Sequence, residues 1–159
     1  MSTRRATLHA VMLIGVFILR GHVAYGVDRT WTGPVSADWF TAGNWSPAGV
    51  PAAGDTAIIN GGTADLGAAD TMVTGFTLNG GTLTGSGALT VSGTMDWAGG
   101  VMSGTGTTSV SASGTLAISG GDNKFLDVRT LTNAGSATWS GTGDLYGSSG
   151  AVFANTGTF

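Results

Sequence analysis

The chain of 159 residues contains 29 glycines, nine acidic residues, only six basic residues and no cysteine. This composition argues against helical packing, because each glycine inside a helix costs about 1 kcal/mol relative to alanine. Disorder is also disfavoured, since 42% of the residues are hydrophobic and only 9% are charged. A disulfide framework is excluded. A packed β architecture with many glycine turns is the class that remains.

Residues 1–26 have the pattern of a secretory signal peptide. Arg4 and Arg5 form a basic start, an apolar run covers residues 10–19, and Ala24-Tyr25-Gly26 is a small-x-small cleavage site. The apolar run is shorter than the roughly 20 residues of a membrane-spanning helix. A retained anchor is the alternative, but it would have to bury one arginine and two histidines. We therefore predict a protein that is secreted or exposed at the cell surface.

The chain after residue 26 contains few catalytic residue types. It keeps all nine acidic residues, every one an aspartate, and only three of the six basic ones (Arg29, Lys124 and Arg129), so its net charge is −6. It has no histidine, cysteine or glutamate, which excludes Ser-His-Asp and Cys-His catalysis and Cys/His zinc sites. Nucleic acid is an unfavourable partner, because its binding depends on clustered lysine and arginine.

A repeat of about 20 residues occupies the rest of the chain. Gly-Gly pairs begin at positions 61, 80, 99 and 120, and Gly141-Thr142 continues the series, which gives steps of 19, 19, 21 and 21 residues. Each glycine pair follows a triplet whose first and third residues are apolar, and these two side chains share one face of a strand. The triplets begin at Ala57, Phe76, Met95, Leu116 and Ala137. Short strands and glycine corners at such a period are typical of a β-solenoid.

We predict an all-β fold, a right-handed parallel β-helix of about five rungs formed by residues 55–159. A β-sandwich is the alternative, but it does not explain the fixed offset between triplets and glycine pairs. Residues 27–54 contain three of the five tryptophans and all three prolines. A solenoid needs an atypical terminal unit over its first rung, so we interpret this segment as an N-terminal cap.

Three motifs open this part of the chain: W-x-G at residues 31–33, W-x-T-A-x-N-W at residues 39–45 and P-x-x-G-D at residues 51–55. They resemble the opening of exported bacterial autotransporter-associated β-strand-repeat and adhesin-like surface proteins, in which Gly/Thr-rich β-helical repeats follow. The resemblance extends over essentially the whole chain after the signal peptide. It implies an extracellular or surface-attached scaffold and supplies no catalytic residue to carry over.

A carbohydrate-active β-helix is the alternative function from a different class. Glycoside hydrolysis requires two carboxyl groups about 5–9.5 Å apart. Asp96, however, aligns with Thr77, Ala117 and Thr138 of the neighbouring triplets, so it has no carboxyl partner in its column. We therefore predict no catalytic residue and no cofactor.

A segment of mixed charge follows the fourth glycine pair, with Asp122 and Asp127 beside Lys124 and Arg129. We interpret it as a solvated corner with surface ion pairs, which contribute little to stability. The oxygens of Asp122, Asn123 and Asp127 also suggest calcium, but no calcium-loop motif is present. Turn formation is the favoured interpretation, and we predict no metal.

Trp31, Trp39 and Trp45 are the candidate glycan-contact residues, since exposed aromatic rings stack on sugars. Burial in the cap is the favoured alternative, because each aromatic side chain buries about 150–250 Å². Tyr146, the only tyrosine after residue 26, adds no aromatic cluster in the sequence.

The C-terminal residues align with the start of a further rung. When residues 155–159 are placed over residues 133–137, Phe159 takes the first inward position of a sixth rung. We expect either a fragment of a longer protein or an uncapped rung that associates end to end with another chain. Our overall expectation is a non-enzymatic extracellular or cell-surface scaffold or adhesin-like segment, whose partner is a surface glycan or a host or matrix surface.

Overall fold

The computed structural model describes residues 26–159, so the predicted signal peptide lies outside the described residues except for Gly26. Before the repeats come β1 (Asp28–Trp31), a 3-10 helix (Ala42–Asn44) and β2 (Trp45–Ser46). The repeats contain β3 (Thr56–Ile59), β4 (Thr63–Asp65), β5 (Thr71–Val73), β6 (Gly75–Leu78), β7 (Thr82–Thr84), β8 (Leu89–Val91), β9 (Thr94–Trp97), β10 (Gly100–Met102), β11 (Thr107–Val110), β12 (Thr115–Ile118), β13 (Lys124–Asp127), β14 (Thr130–Asn133), β15 (Ser136–Trp139), β16 (Leu145–Ser148) and β17 (Val152–Asn155).

The strands of the repeats coil into five rungs, and each rung gives one strand to each of three sheets. Sheet one has the order β15-β12-β9-β6-β3-β1-β2, sheet two β16-β13-β10-β7-β4 and sheet three β17-β14-β11-β8-β5. Neighbouring rungs pair in parallel, for example β3 with β6 and β13 with β16, whereas β1 and β2 are antiparallel. This topology confirms the predicted β-solenoid of about five rungs.

The triplets predicted from the glycine spacing align residue for residue in sheet one. The first positions form the column Ala57, Phe76, Met95, Leu116 and Ala137, and the third positions form the column Ile59, Leu78, Trp97, Ile118 and Trp139. Nine of these ten side chains are buried, and Trp139 is 43% exposed. The inward columns thus build one continuous core along the solenoid axis.

Glycine at the corner between sheets one and two is required by close stacking of the backbone. Gly81 and Gly100 have φ values of +72° and +83°, a region that residues with a β-carbon rarely adopt. A β-carbon at Gly100 would also lie 2.7 Å from the carbonyl oxygen of Gly81 in the rung below. The repeated glycine pair is therefore a packing requirement of the rungs.

The fourth rung has different corners from the rungs before it. Five residues separate β12 from β13, compared with two between β9 and β10. Only two residues, Val128 and Arg129, separate β13 from β14, compared with four between β10 and β11. Val128 has a φ of +63°, unusual for a β-branched residue, and the Arg129 N–H donates to the Asp127 carbonyl oxygen at 2.6 Å. This sharp turn sets the direction of the Arg129 side chain.

The tryptophan-rich segment closes the N-terminal end of the core. Trp45 packs edge to face against Trp31 and Trp39, with ring centroids 5.0 and 4.7 Å apart, and Trp39 reaches Phe76 of the second rung at 6.4 Å. The Trp45 indole N–H donates to the Trp39 carbonyl oxygen at 2.8 Å. The buried Asn44 side chain holds the preceding loop by accepting from the backbone N–H of residues 35 and 36.

The last residues begin to pair above the fifth rung. Ser136 forms a parallel bridge with Thr158, and the Ala137 N–H donates to the Thr158 carbonyl oxygen at 2.9 Å. This is the register predicted from the sequence alignment of residues 133–137 with residues 155–159. End-to-end association with another chain stays a prediction.

Asp55 joins three parts of the N-terminal segment. Its carboxylate accepts hydrogen bonds from the N–H groups of Val27 and Ala52 and forms an ion pair with Arg29 at 3.2 Å. Burial raises the pKa of Asp55, but the hydrogen bonds from Val27, Ala52 and Arg29 outweigh it, so that the pKa lies below its ordinary value of 3.8.

We expect Asp55→Asn to lower the free energy of unfolding by about 1–2 kcal/mol at pH 7, because hydrogen bonds to a charged group are lost. Since the folded-state pKa is lowered, this stabilisation is fully present above pH 3.8 and disappears as the pH falls through the folded value. Urea unfolding of wild type and variant should therefore give curves that converge at low pH. Asp28→Asn, at an exposed carboxylate, is the control; a stability difference for Asp55→Asn that is independent of pH would contradict the assignment.

Candidate functional site

The three tryptophans predicted as glycan-contact candidates are buried in the cap. Trp31, Trp39 and Trp45 are at most 5% exposed, and they belong to the same core cluster as the inward columns of the rungs. A glycan platform requires an exposed ring face, so the glycan-contact hypothesis for these residues is wrong. Their aromatic surface is used to cover the first rung instead.

Three aspartates of the described chain accept hydrogen bonds from residues of nearby turns and corners. Asp96 pairs in register with Thr77 and Ala117, as predicted, and its carboxylate accepts a hydrogen bond from Ser119 at 2.6 Å. Asp38 and Asp65 are register partners of each other. Their carboxylates accept hydrogen bonds from nearby N–H groups of Phe40 and Gly67, and from the Thr41 hydroxyl.

Residues 26–159 contain no cluster of side chains suited to hold a metal ion. No group of three or more histidine, cysteine, aspartate or glutamate side chains comes together in this part of the chain. A surface groove of about 520 Å³ lies at the corner between sheets three and one. It is lined by alanine, serine, glycine and threonine from residues 112–115, 134–136 and 156–158, so its lining carries no titratable group.

The mixed-charge segment after the fourth glycine pair is not the solvated corner predicted from the sequence. Lys124 begins strand β13 with its side chain inside the solenoid, and its ammonium donates to the carbonyl oxygens of Asp122 at 2.9 Å and Gly120 at 3.4 Å. Asp127 forms no ion pair with either base; hydrogen bonds from Ser149 and Ser148 of the fifth rung lower its pKa. The segment is a strand with a buried lysine at its start, followed by a turn that carries a buried arginine.

Arg129 is fully buried, and its guanidinium is saturated with hydrogen bonds. All five of its N–H donors point at the wall formed by rungs two and three, and no acceptor is a carboxylate. The acceptors are the Thr108 hydroxyl (2.8 Å) and the carbonyl oxygens of Gly87 (3.0 Å), Gly85 (3.1 Å), Ser103 (3.1 Å) and Thr107 (3.2 Å). A side chain of rung four is thus hydrogen-bonded to residues up to 44 positions earlier in the chain.

Desolvation lowers the pKa of Arg129 to about 10, so the group still carries its charge at neutral pH. An unpaired buried charge would be costly, but here five acceptor dipoles replace water around the guanidinium. Binding of the guanidinium therefore depends on its planar shape and on the directions of its N–H bonds, because its five donors meet five fixed acceptors.

An aromatic pair lies on the outer face of sheet two. Phe125 of β13 and Tyr146 of β16 are register partners, and their rings stack with centroids 5.3 Å apart and an angle of 16°. The two side chains are 42% and 47% exposed. The Tyr146 hydroxyl donates to the Asp144 carboxylate at 3.1 Å, and this hydrogen bond raises the pKa of the tyrosine. We call these two residues the aromatic pair.

The prediction that Tyr146 joins no cluster was therefore wrong. The longer corner of the fourth rung displaces β13 along the chain, so Phe125 no longer stands at a fixed offset from a glycine pair. The sequence does contain a signal for the pair. Inward and outward side chains alternate in Lys124–Asp127 and in Leu145–Ser148, and both strands begin three residues later, relative to the glycine pair, than β10 does.

The surface of the described chain carries mostly negative charge. Arg29 is paired with Asp55, and both Lys124 and Arg129 are withdrawn into the solenoid. The exposed ionised side chains of residues 26–159 are therefore carboxylates, contributed by Asp28, Asp38, Asp70, Asp122 and Asp144.

The chain matches no protein-family model, and neither a curated protein nor a solved structure is significantly similar to it. Among residues 26–159, no helix is both long enough and apolar enough to pass through a lipid bilayer.

Proposed function

We propose that this chain is a non-enzymatic segment of an exported surface protein, in which the β-solenoid serves as a structural or adhesive scaffold. The observation that carries the proposal is the way the interior is used. The inward columns of all five rungs pack on one another in register. The buried Arg129 of rung four donates its hydrogen bonds to rungs two and three. At about 4.8 Å per rung, the five rungs extend for roughly 24 Å.

The sequence resemblance to autotransporter-associated and adhesin-like repeat proteins supports the same proposal. In such a scaffold the outer faces of the sheets are free to meet a partner, while the inner faces only stabilise the rod. The negative surface favours partners other than nucleic acid, since phosphates would be repelled.

The aromatic pair is the surface on which we place the adhesive role. Phe125 and Tyr146 form one stacked, half-exposed apolar patch next to the carboxylate of Asp144. Exposed aromatic residues are enriched where proteins meet partners. The expected partner is a surface glycan or a host or matrix surface.

Adhesion of beads coated with the purified chain tests this proposal. We expect the beads to be retained on glycan-coated or matrix-protein-coated glass, and retention to fall several-fold for the double variant Phe125→Ser and Tyr146→Ser. The matched control, Met72→Ser with Val152→Ser, removes two equally exposed apolar side chains from sheet three and should leave retention unchanged. Retention no higher than that of uncoated beads would contradict the adhesive role.

An assay for polysaccharide cleavage distinguishes a scaffold from a carbohydrate-active enzyme. We expect polysaccharides incubated with the chain to show no increase in reducing ends and no unsaturated products. Asp38 and Asp65 are register partners and therefore the carboxyl pair to substitute. Either product, if abolished by Asp38→Asn or Asp65→Asn, would overturn the non-enzymatic proposal.

Export is tested by mass spectrometry of the chain expressed with its first 26 residues, which should be removed by cleavage between Gly26 and Val27.

A further inference from the structure

The corner between sheets two and three contains a set of acceptors that belongs to rungs two and three alone. The carbonyl oxygens of Gly85 and Gly87 come from rung two, and those of Ser103 and Thr107 come from rung three, together with the Thr108 hydroxyl. We call these five acceptors the carbonyl cage. Both rungs must be stacked for the cage to exist.

We propose that the carbonyl cage is a guanidinium-binding site, and that Arg129 occupies it to fix the register of rungs two, three and four. The site takes a planar cation with several N–H donors. It does not depend on a carboxylate, because each of its acceptors is a neutral oxygen.

The number and placement of the acceptors select guanidinium over other cations. Each of the five N–H groups of Arg129 has an acceptor within 3.2 Å. An ammonium group has three donors around a single nitrogen and cannot reach all five acceptors at once. Space in the cage also depends on Gly106, where a β-carbon would lie 2.9 Å from Arg129 Nη1 and collide with the Gly87 carbonyl.

The need for a register device follows from the sequence of the strands. A slip of two residues keeps every side chain on its original face, so the alternation of inward and outward residues does not oppose it. In β14 the run Thr130-Leu131-Thr132 would place threonine over threonine again after such a slip. The same slip moves the backbone by about 6.6 Å, which breaks every hydrogen bond between Arg129 and the cage.

The test is chemical rescue of Arg129→Ala in the full chain with methylguanidinium chloride. We expect the variant to melt about 10 °C or more below wild type. Methylguanidinium, at concentrations far below those that denature proteins, should raise the melting temperature of the variant and reach saturation, as expected for a ligand that binds the folded state. It should not raise the melting temperature of wild type, whose cage is filled.

Two controls separate occupation of the cage from a general salt effect. Ammonium chloride should not rescue Arg129→Ala, because the N–H donors of an ammonium ion surround a single nitrogen and cannot reach all five acceptors at once. Methylguanidinium should not rescue Arg29→Ala, since Arg29 lies at a partly exposed ion pair with Asp55. The proposed guanidinium-binding site would be contradicted if methylguanidinium changed the melting temperature of all variants equally, or if it did not change that of Arg129→Ala.

Register is read out by disulfide trapping, which the absence of cysteine makes unambiguous. Ser109 and Thr132 are register partners with hydroxyls 2.9 Å apart, so Ser109→Cys with Thr132→Cys should cross-link in wild type. In Arg129→Ala the yield should fall, and methylguanidinium should restore it; an unchanged yield would overturn the register role. If Arg129→Ala does not fold, refolding in methylguanidinium should recover strand content, and failure to do so would also overturn the proposal.

Discussion

Replacing Trp97 by alanine should lower the free energy of unfolding by about 3 kcal/mol, whereas Trp139→Ala should lower it by less than about 1 kcal/mol. The two tryptophans occupy the same inward column of sheet one, two rungs apart. Trp97 is fully buried and has rungs stacked on both sides, while Trp139 is 43% exposed. The difference therefore measures how much of the stability depends on stacking between rungs.

The value for Trp97 lies at the low end of the range for removing a buried aromatic ring. Its indole N–H is buried without a hydrogen-bond partner, so the substitution also removes an unsatisfied donor. Urea unfolding followed by circular dichroism gives both free energies. Equal losses at the two positions would mean that the inward column does not form a continuous core.

Arg129→Met should lower the free energy of unfolding by about 3–5 kcal/mol, because several buried neutral acceptors lose their donor at once and each one left without a partner costs about 1–3 kcal/mol. Methionine fills much of the volume but leaves the five acceptors of the cage without the guanidinium. Arg129→Lys keeps the charge with fewer donors and should lose less than methionine does.

The matched comparison is Arg29→Met, which removes a partly exposed ion pair with Asp55 and should cost about 1 kcal/mol or less. Thermal and urea unfolding should rank the variants in the order wild type, Arg29→Met, Arg129→Lys, Arg129→Met. If Arg129→Met were as stable as Arg29→Met, the buried guanidinium would contribute nothing specific to the solenoid.

The overall fold could be predicted from the sequence because its main determinant is periodic. Parallel stacking places equivalent residues of successive rungs over one another, so inward apolar residues recur at the repeat length. The glycine pairs recur with them, since a β-carbon at a position such as Gly100 would collide with the rung below. Triplets at one offset from each pair therefore marked sheet one correctly, from Ala57 in the first rung to Ala137 in the fifth.

The part of the fourth rung after its glycine pair could not be predicted, because its local sequence contradicts its packing. In Lys124–Asp127 the lysine points inward and the phenylalanine outward, the reverse of what polarity suggests. Burial of Lys124 and Arg129 depends on carbonyl oxygens supplied by the corner and by earlier rungs, which no local pattern reveals. Hydrogen bonds to residues outside the segment make the burial of both cations possible, so two side chains of a mixed-charge segment lie in the interior.

The same reasoning explains the partial success at the cap. Tryptophan and proline density marked residues 27–54 as an atypical unit, and the three rings do extend the core. Sequence alone left two uses for these rings, packing or sugar stacking, because an aromatic residue suits both. Their burial against one another and against Phe76 leaves packing as their role.

In-register stacking of the rungs is tested most directly by disulfide trapping on the outer face of sheet one. Ala117 of rung four and Thr138 of rung five are register partners, about 4.8 Å apart in a parallel sheet, which suits a disulfide. The shifted pair, Ala117 with Ser136, is displaced by two residues and too distant. We expect rapid oxidation of Ala117→Cys with Thr138→Cys and little oxidation of Ala117→Cys with Ser136→Cys. Equal or reversed yields would contradict a five-rung solenoid in this register.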